Sequence, residues 1–123
     1  MANLDGGRIV FLLSAMAALP VRRYPDYSVK MAAAYAGVRV LAMELAPSVL
    51  VNAVGVGVIG GEGTGEPLAG EVAMLSHTAI GRSGTIDEAV ALVMFFCDPL
   101  NSYTNGQLLS ADGGWTSGYG RDF

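Results

Sequence analysis

Apolar residues along this chain fall into alternating short and long blocks. The first block, RIVFLLS at 8–14, follows Gly6 and Gly7 and is continuous rather than alternating. A short uninterrupted apolar run of this kind predicts a strand covered on both faces, as in a parallel sheet. From Asp26 to Ala46 the chain runs without proline and with one glycine, Gly37, before stopping at Pro47. That predicts a helix, apolar almost all round and therefore buried on more than one side. Ala32, Ala33, Ala36 and Gly37 give it a strip of small residues that lets another helix approach closely.

The second half repeats the alternation. VLVNAV at 49–54 predicts a second strand, and the glycine-rich stretch GVGVIGGEGTGEPLAG leads into a short, weak helix over 66–76. TIDEAVALVMFFCD opens with Thr85 as an N-cap and Glu88 three residues on, which is a capping box, and stops at Pro99. NGQLLSADGG supplies a turn, a third strand over 107–111 and another turn. The order β-α-β-α-β predicts an α/β fold with parallel pairing and right-handed crossovers. No repeat and no linker divides residues 1–123, which read as one partial domain.

Composition changes this picture in one respect. A chain of 123 residues that is 52% hydrophobic and only 15% charged has too little polar surface for its size. It is expected to share its core with another polypeptide or to be part of a larger domain. The net charge of −4 and the scattered basic residues argue against nucleic acid as a partner. One cysteine, Cys97, excludes an internal disulfide, and with one histidine, His77, a zinc site is not expected. Cys97 reads as a small buried hydrophobe in the last helix and His77 as a loop residue. No apolar run is long enough to span a bilayer. Arg8 followed by IVFLLSAMAALP imitates a signal peptide, but Asp5 lies in the would-be basic region. A cytoplasmic location is the expectation.

The chemistry-bearing residues sit where the first helix starts. Ser14 ends the first strand, Tyr27 follows thirteen residues later, and Lys30 lies three residues beyond Tyr27. With MAAAYAGVRVLAMELAP, VLVNAVGVGVI, GRSGTIDEAVALVMFFCD and SYTNGQLLSADGGW in order, the chain resembles the C-terminal half of a short-chain dehydrogenase/reductase. The resemblance implies half of a Rossmann-like doubly wound parallel sheet. It also implies a catalytic serine at Ser14, a catalytic tyrosine at Tyr27, and nicotinamide contacts at Gly57 and Ile59. The cofactor implied is NAD or NADP. The family's glycine-rich pyrophosphate turn has no counterpart here, so no cofactor is expected on the isolated chain.

In the family a tyrosine acts as general acid or base toward an alcohol or ketone. A free phenol has a pKa near ~10, and a neighbouring ammonium favours the phenolate. The family lysine stands four residues after the tyrosine, a position held here by Met31. Counted from Met31, Arg39 and Glu44 fall at the family's separations, whereas counting from Lys30 leaves both one residue late. Substitution by methionine is thus simpler than displacement, although Lys30 is also a helix neighbour of Tyr27. Lys30 points about 100° round the axis from Met31 and can instead pair with Asp26. Two other family positions differ: a proline is replaced by Val56, and a threonine by Gly61. For Ser14 and Tyr27 a purely structural reading, as a strand-end serine and a helix-start tyrosine, stands beside the catalytic one.

Three functions remain open on these residues. The resemblance implies two helices and a last strand that pack against a partner subunit. The chain then reads as a catalytically impaired subunit or remnant, in a homo-oligomer or a hetero-oligomer with a full-length NAD(P)-dependent alcohol/ketone dehydrogenase. Some heteromeric relatives of that kind act on hydroxyacyl-CoA. The second is a fragment of an active oxidoreductase. The third is an independent dinucleotide-binding module, because Gly55, Gly57 and Gly60 spell G-x-G-x-x-G after a strand. That fingerprint needs a helix to open at once, and none is expected before Glu66 or Pro67.

Overall fold

The computed structural model describes residues 6–60 and 69–118. Three strands, β1 (Gly7–Ser14), β2 (Val49–Val56) and β3 (Leu108–Ala111), form a parallel sheet in the order β1-β2-β3. Helix α1 (Pro25–Leu45) links β1 to β2; α2 (Ala69–Ser76) and α3 (Ile86–Cys97) precede β3. The fold is the expected α/β arrangement, with β2 running two residues further than its apolar run suggests. The run that imitates a signal peptide forms β1 and the short 3-10 turn Ala15–Ala17.

Each helix has a local reason to begin where it does. Pro25 occupies the first turn of α1, where its missing N–H costs nothing. Thr85 caps α3 by accepting from the Glu88 N–H, while Glu88 Oε1 accepts from the Thr85 N–H at 3.0 Å. Arg82 grips the same carboxylate with two nitrogens, at 2.8 and 3.0 Å. The Arg82 hydrogen bond, then that from the Thr85 backbone, pull the Glu88 carboxyl down to about 2.

β2 is buried on both faces. Val38 and Ala42 of α1 pack on Val51 and Ala53, with Leu13, Tyr35 and Leu108 at the margin. α3 contacts all three strands, and Val54 of β2 has no exposed surface. A second cluster, Ala15, Met16 and Trp115, gathers Val21, Met31 and Met74.

Two asparagines tie the sheet to the turn before β3. Buried Asn52 donates to the Thr104 carbonyl and accepts from the Gln107 N–H, both at 3.0 Å. Asn105 accepts from the Val51 N–H and donates to the Ala42 carbonyl, each at 2.9 Å. Neither role was visible in the hydrophobic pattern.

Cys97 corrects one expectation. It is exposed, because α3 turns Ala89 and Phe96 into the core and the next position rotates outward. His77 lies in the turn after α2, as expected. Among the described residues no helix is long and apolar enough to cross a membrane, and no cluster of ligands suits a metal ion.

Candidate active site

The site is assembled at the C-terminal end of the parallel sheet. There β1 delivers Ser14, and the first turn of α1 delivers Tyr27. Ser14 is also the N-cap of the Ala15–Ala17 turn, its hydroxyl oxygen accepting from the Met16 N–H at 3.1 Å. The start of α1 is fixed by Ser28, which is buried and whose hydroxyl accepts from the Val21 N–H at 3.0 Å. Ser28 thereby anchors its neighbour Tyr27, which is 45% exposed.

These elements enclose an open cleft of about 460 Å³. Ser14, Tyr27, Met31, Gly57 and Ile59 all line it. Lys30 does not: it is exposed, while Met31 is half-buried, with Met74 and Val21 packed beside the same cluster. The residue one full turn beyond Tyr27 therefore faces the cleft, as helix geometry requires, and the residue three beyond does not. A thioether can neither supply a positive charge nor donate a hydrogen bond to a ribose.

The Gly57–Ile59 end of the cleft offers backbone groups rather than side chains. Ile59 bridges Gly84 in parallel fashion, with Gly84 donating to the Val58 carbonyl and Gly60 donating to the Gly84 carbonyl. Alternation along the strand then turns the N–H and C=O of Ile59 away from Gly84. Such a donor and acceptor match a carboxamide. Gly57 has a different reason to be glycine. A Cβ there would lie 2.9 Å from the Asp112 Cα, so the end of β3 demands it. At Gly60 a Cβ would meet Ser83 Oγ at 2.6 Å, so packing also accounts for the last glycine of the G-x-G-x-x-G string. Residues 61–68, which carry Gly61, Glu66 and Pro67, lie outside the described residues.

Sequence reasoning missed Glu71, Met16 and Met74, which also line the cleft. The signal for Glu71 and Met74 was faint, a weakly amphipathic helix after a glycine-rich loop, while Met16 sits in the short turn just after Ser14. A second recess of about 370 Å³ lies between α3 and the end of β3. Its charged groups are committed to one another, to backbone or to the Thr116 hydroxyl. Arg82 binds Glu88, and Asp112 accepts from Gly114 and Thr116.

A strand-end serine and a helix-start tyrosine thus border one cleft at the end of a parallel sheet of Rossmann type. Comparison with known proteins agrees. A family model described as enoyl-(acyl carrier protein) reductase matches residues 1–116. A tropinone reductase homolog of Arabidopsis thaliana is 35% identical over 114 residues, 89% of this chain and 44% of its own length. A short-chain type dehydrogenase/reductase structure from Mycobacterium ulcerans superposes with a TM-score of 0.80 at 27% identity. It covers 96% of this chain and 44% of that one. An oxidoreductase from Haemophilus influenza, solved with bound NAD, gives 0.78 at 25% identity, over 91% of this chain and 43% of its own. The chain belongs to the short-chain dehydrogenase/reductase family. It spans less than half the length of these relatives.

Proposed function

We propose that this chain is a catalytically weakened unit of an NAD(P)-dependent alcohol/ketone oxidoreductase, acting in the cytoplasm in association with an intact subunit of the family. One observation carries the reading. The cleft brings Ser14 and Tyr27 together, but the wall position one turn beyond Tyr27 holds Met31, and Lys30 lies outside. Ser14 would hydrogen-bond the substrate oxygen and Tyr27 would exchange its proton. NAD or NADP, when bound, supplies or takes the hydride, with Ile59 holding its carboxamide. No cation stands at the wall position one turn beyond Tyr27 to favour proton transfer through its hydroxyl, so turnover is slow.

Two surfaces support a partner. Along α1, Ala32, Ala33, Ala36 and Gly37 are exposed together with Val29, Val40 and Met43. Small residues along an exposed apolar helix permit close packing of a second helix. β1 is a sheet edge whose Arg8, Val10 and Leu12 turn their N–H and C=O groups outward, since Gly7 bonds inward to Ser48.

Native pull-down of the chain, followed by mass spectrometry, tests this. A longer family member should copurify, and NAD(H) titration of the chain alone should give no binding. Micromolar NAD(H) binding, or absence of any family partner, overturns the subunit reading. The coverage of under half of each relative favours a second reading, in which these residues are part of a longer active oxidoreductase. There the same cleft works within one chain, and NAD(P)-linked turnover by the complete protein without a partner decides for it.

A further inference from the structure

We propose that Arg22 and Arg23 hold the phosphate of a small phosphorylated alcohol or ketone at the mouth of the cleft. Both are exposed and form the tip of a turn, which the Tyr24 N–H closes onto the Val21 carbonyl at 3.3 Å. Arg23 stands in the left-handed region, with a φ of 74°. Glycine adopts that conformation freely, and a residue with a Cβ seldom does. Strain of this kind persists only where the surroundings fix it. Here buried Ser28 accepts from the Val21 N–H, and Val21 packs into the cluster that holds Met16, Met31 and Met74. The turn is thereby fastened to the start of α1 beside Tyr27 and to residues that line the cleft.

The two guanidiniums are also uncommitted. Neither makes a hydrogen bond or ion pair among the described residues. The other described arginines are engaged: Arg8 donates to the Gly7 carbonyl, Arg39 lies 4.5 Å over the Tyr35 ring, and Arg82 binds Glu88. The acid on the same segment, Asp26, has Lys30 as its neighbour one turn along α1, so the arginines keep their charge. Adjacent guanidinium forks match the oxygens of a phosphate. No lysine, arginine or histidine is among the described residues that line the cleft itself, so the phosphate belongs on the turn and the reacting oxygen inside. The net charge of −4 opposes docking on an extended anionic surface, which favours a small ligand.

This inference deepens the oxidoreductase reading and rests on it for the reacting oxygen, which Ser14 and Tyr27 would address. It does not rest on it for the phosphate. The test is therefore a binding measurement without cofactor or turnover. Glycerol 3-phosphate and glycerol are titrated separately into the protein at low salt, and arginine side-chain N–H and tyrosine ring signals are followed by NMR. Glycerol 3-phosphate should bind at least about fivefold more tightly, with shifts at Arg22, Arg23 and Tyr27. Added salt should weaken it. Arg22→Gln and Arg23→Gly should each weaken it about two- to fivefold, and Arg23→Lys should keep most of the binding. Because Arg23→Gly relieves the positive φ, its urea midpoint should hold or rise while binding falls, which separates a lost site from a lost fold. Equal binding of the two probes, no binding of either, shifts that miss Tyr27 or are confined to Arg39 or Arg82, or an affinity unchanged in both variants would each overturn the proposal. Tighter binding to phosphatidylglycerol than to phosphatidylcholine vesicles would assign the turn to a membrane surface and overturn it as well. Failure of NAD(P)-linked turnover alone would count against the oxidoreductase reading and leave the phosphate site standing.

Discussion

Tyr27 and Met31 stand one helical turn apart and border the same cleft, while Lys30 between them does not reach it. The α-helix decides this, because four residues return to nearly the same face and three stop about 60° short of closure. Met31→Lys should therefore raise NAD(P)-linked turnover of the complete protein or complex by an order of magnitude or more. Met31→Leu, which keeps the packing, should give no gain, and Lys30→Ala should cost nothing. A rate that depends on Lys30 would show that the exposed lysine reaches the phenol after all.

Two glycines should respond oppositely to the same change. At Gly57 a new methyl would sit 2.9 Å from the Asp112 Cα and 3.0 Å from its Cβ, against a strand end that cannot yield cheaply. Gly57→Ala should lower stability by about 1–3 kcal/mol. At Gly37, inside α1, a methyl meets nothing within 4 Å, so Gly37→Ala should stabilise the isolated chain by about 0.5–1 kcal/mol. If a partner helix packs on that strip, the same substitution should weaken the complex. Urea unfolding of both variants, with size-exclusion of the Gly37→Ala complex, gives the comparison.

Asn52 is a buried polar side chain inside an apolar sheet, and the chain uses both ends of its amide. Asn52→Leu would leave the Gln107 N–H and the Thr104 carbonyl without partners, at about 1–3 kcal/mol each. The midpoint of urea unfolding should fall by more than for the exposed substitution Gln107→Ala. Equal effects would mean that water replaces the amide.

How much of this was legible beforehand depends on the kind of information. Runs such as RIVFLLS and VLVNAV, and the Thr85–Glu88 capping box, act locally, so strands and helices could be read in order. Parallel pairing followed from that order. Cys97 was misplaced because an almost wholly apolar helix hides which side meets the sheet. Its apparent burial passed to Phe96. Asn52 and Asn105 work through contacts more than fifty residues away, which no local pattern reveals. In the site, the four-residue spacing sufficed to put Met31 beside Tyr27. Glu71 and Met74 joined only through the placement of α2 beside the cleft.

The clamp on α3 makes a prediction about acid. Glu88 is held down to about 2 from the ordinary carboxylate value of 4.5, first by the Arg82 hydrogen bond and next by the Thr85 N–H. A carboxyl whose folded value is depressed binds protons more readily when unfolded, so unfolding takes up a proton as the medium is acidified. Its stabilising contribution is complete above pH 4.5 and is lost progressively as pH falls toward 2. The Glu88 side chain is about half exposed, at 48%, so screening keeps the effect small and makes it sensitive to salt. Thermal melts of the protein at pH 7, 4 and 2.5 should show a steeper acid loss than those of Glu88→Gln. The two curves should converge at the lowest pH and draw closer at high salt. Glu88→Gln also weakens the reciprocal bond to Thr85, so it should start lower at pH 7. Parallel curves across the whole range would mean that Arg82 and Glu88 meet too briefly in solution to matter, leaving the cap to the Thr85 hydroxyl alone.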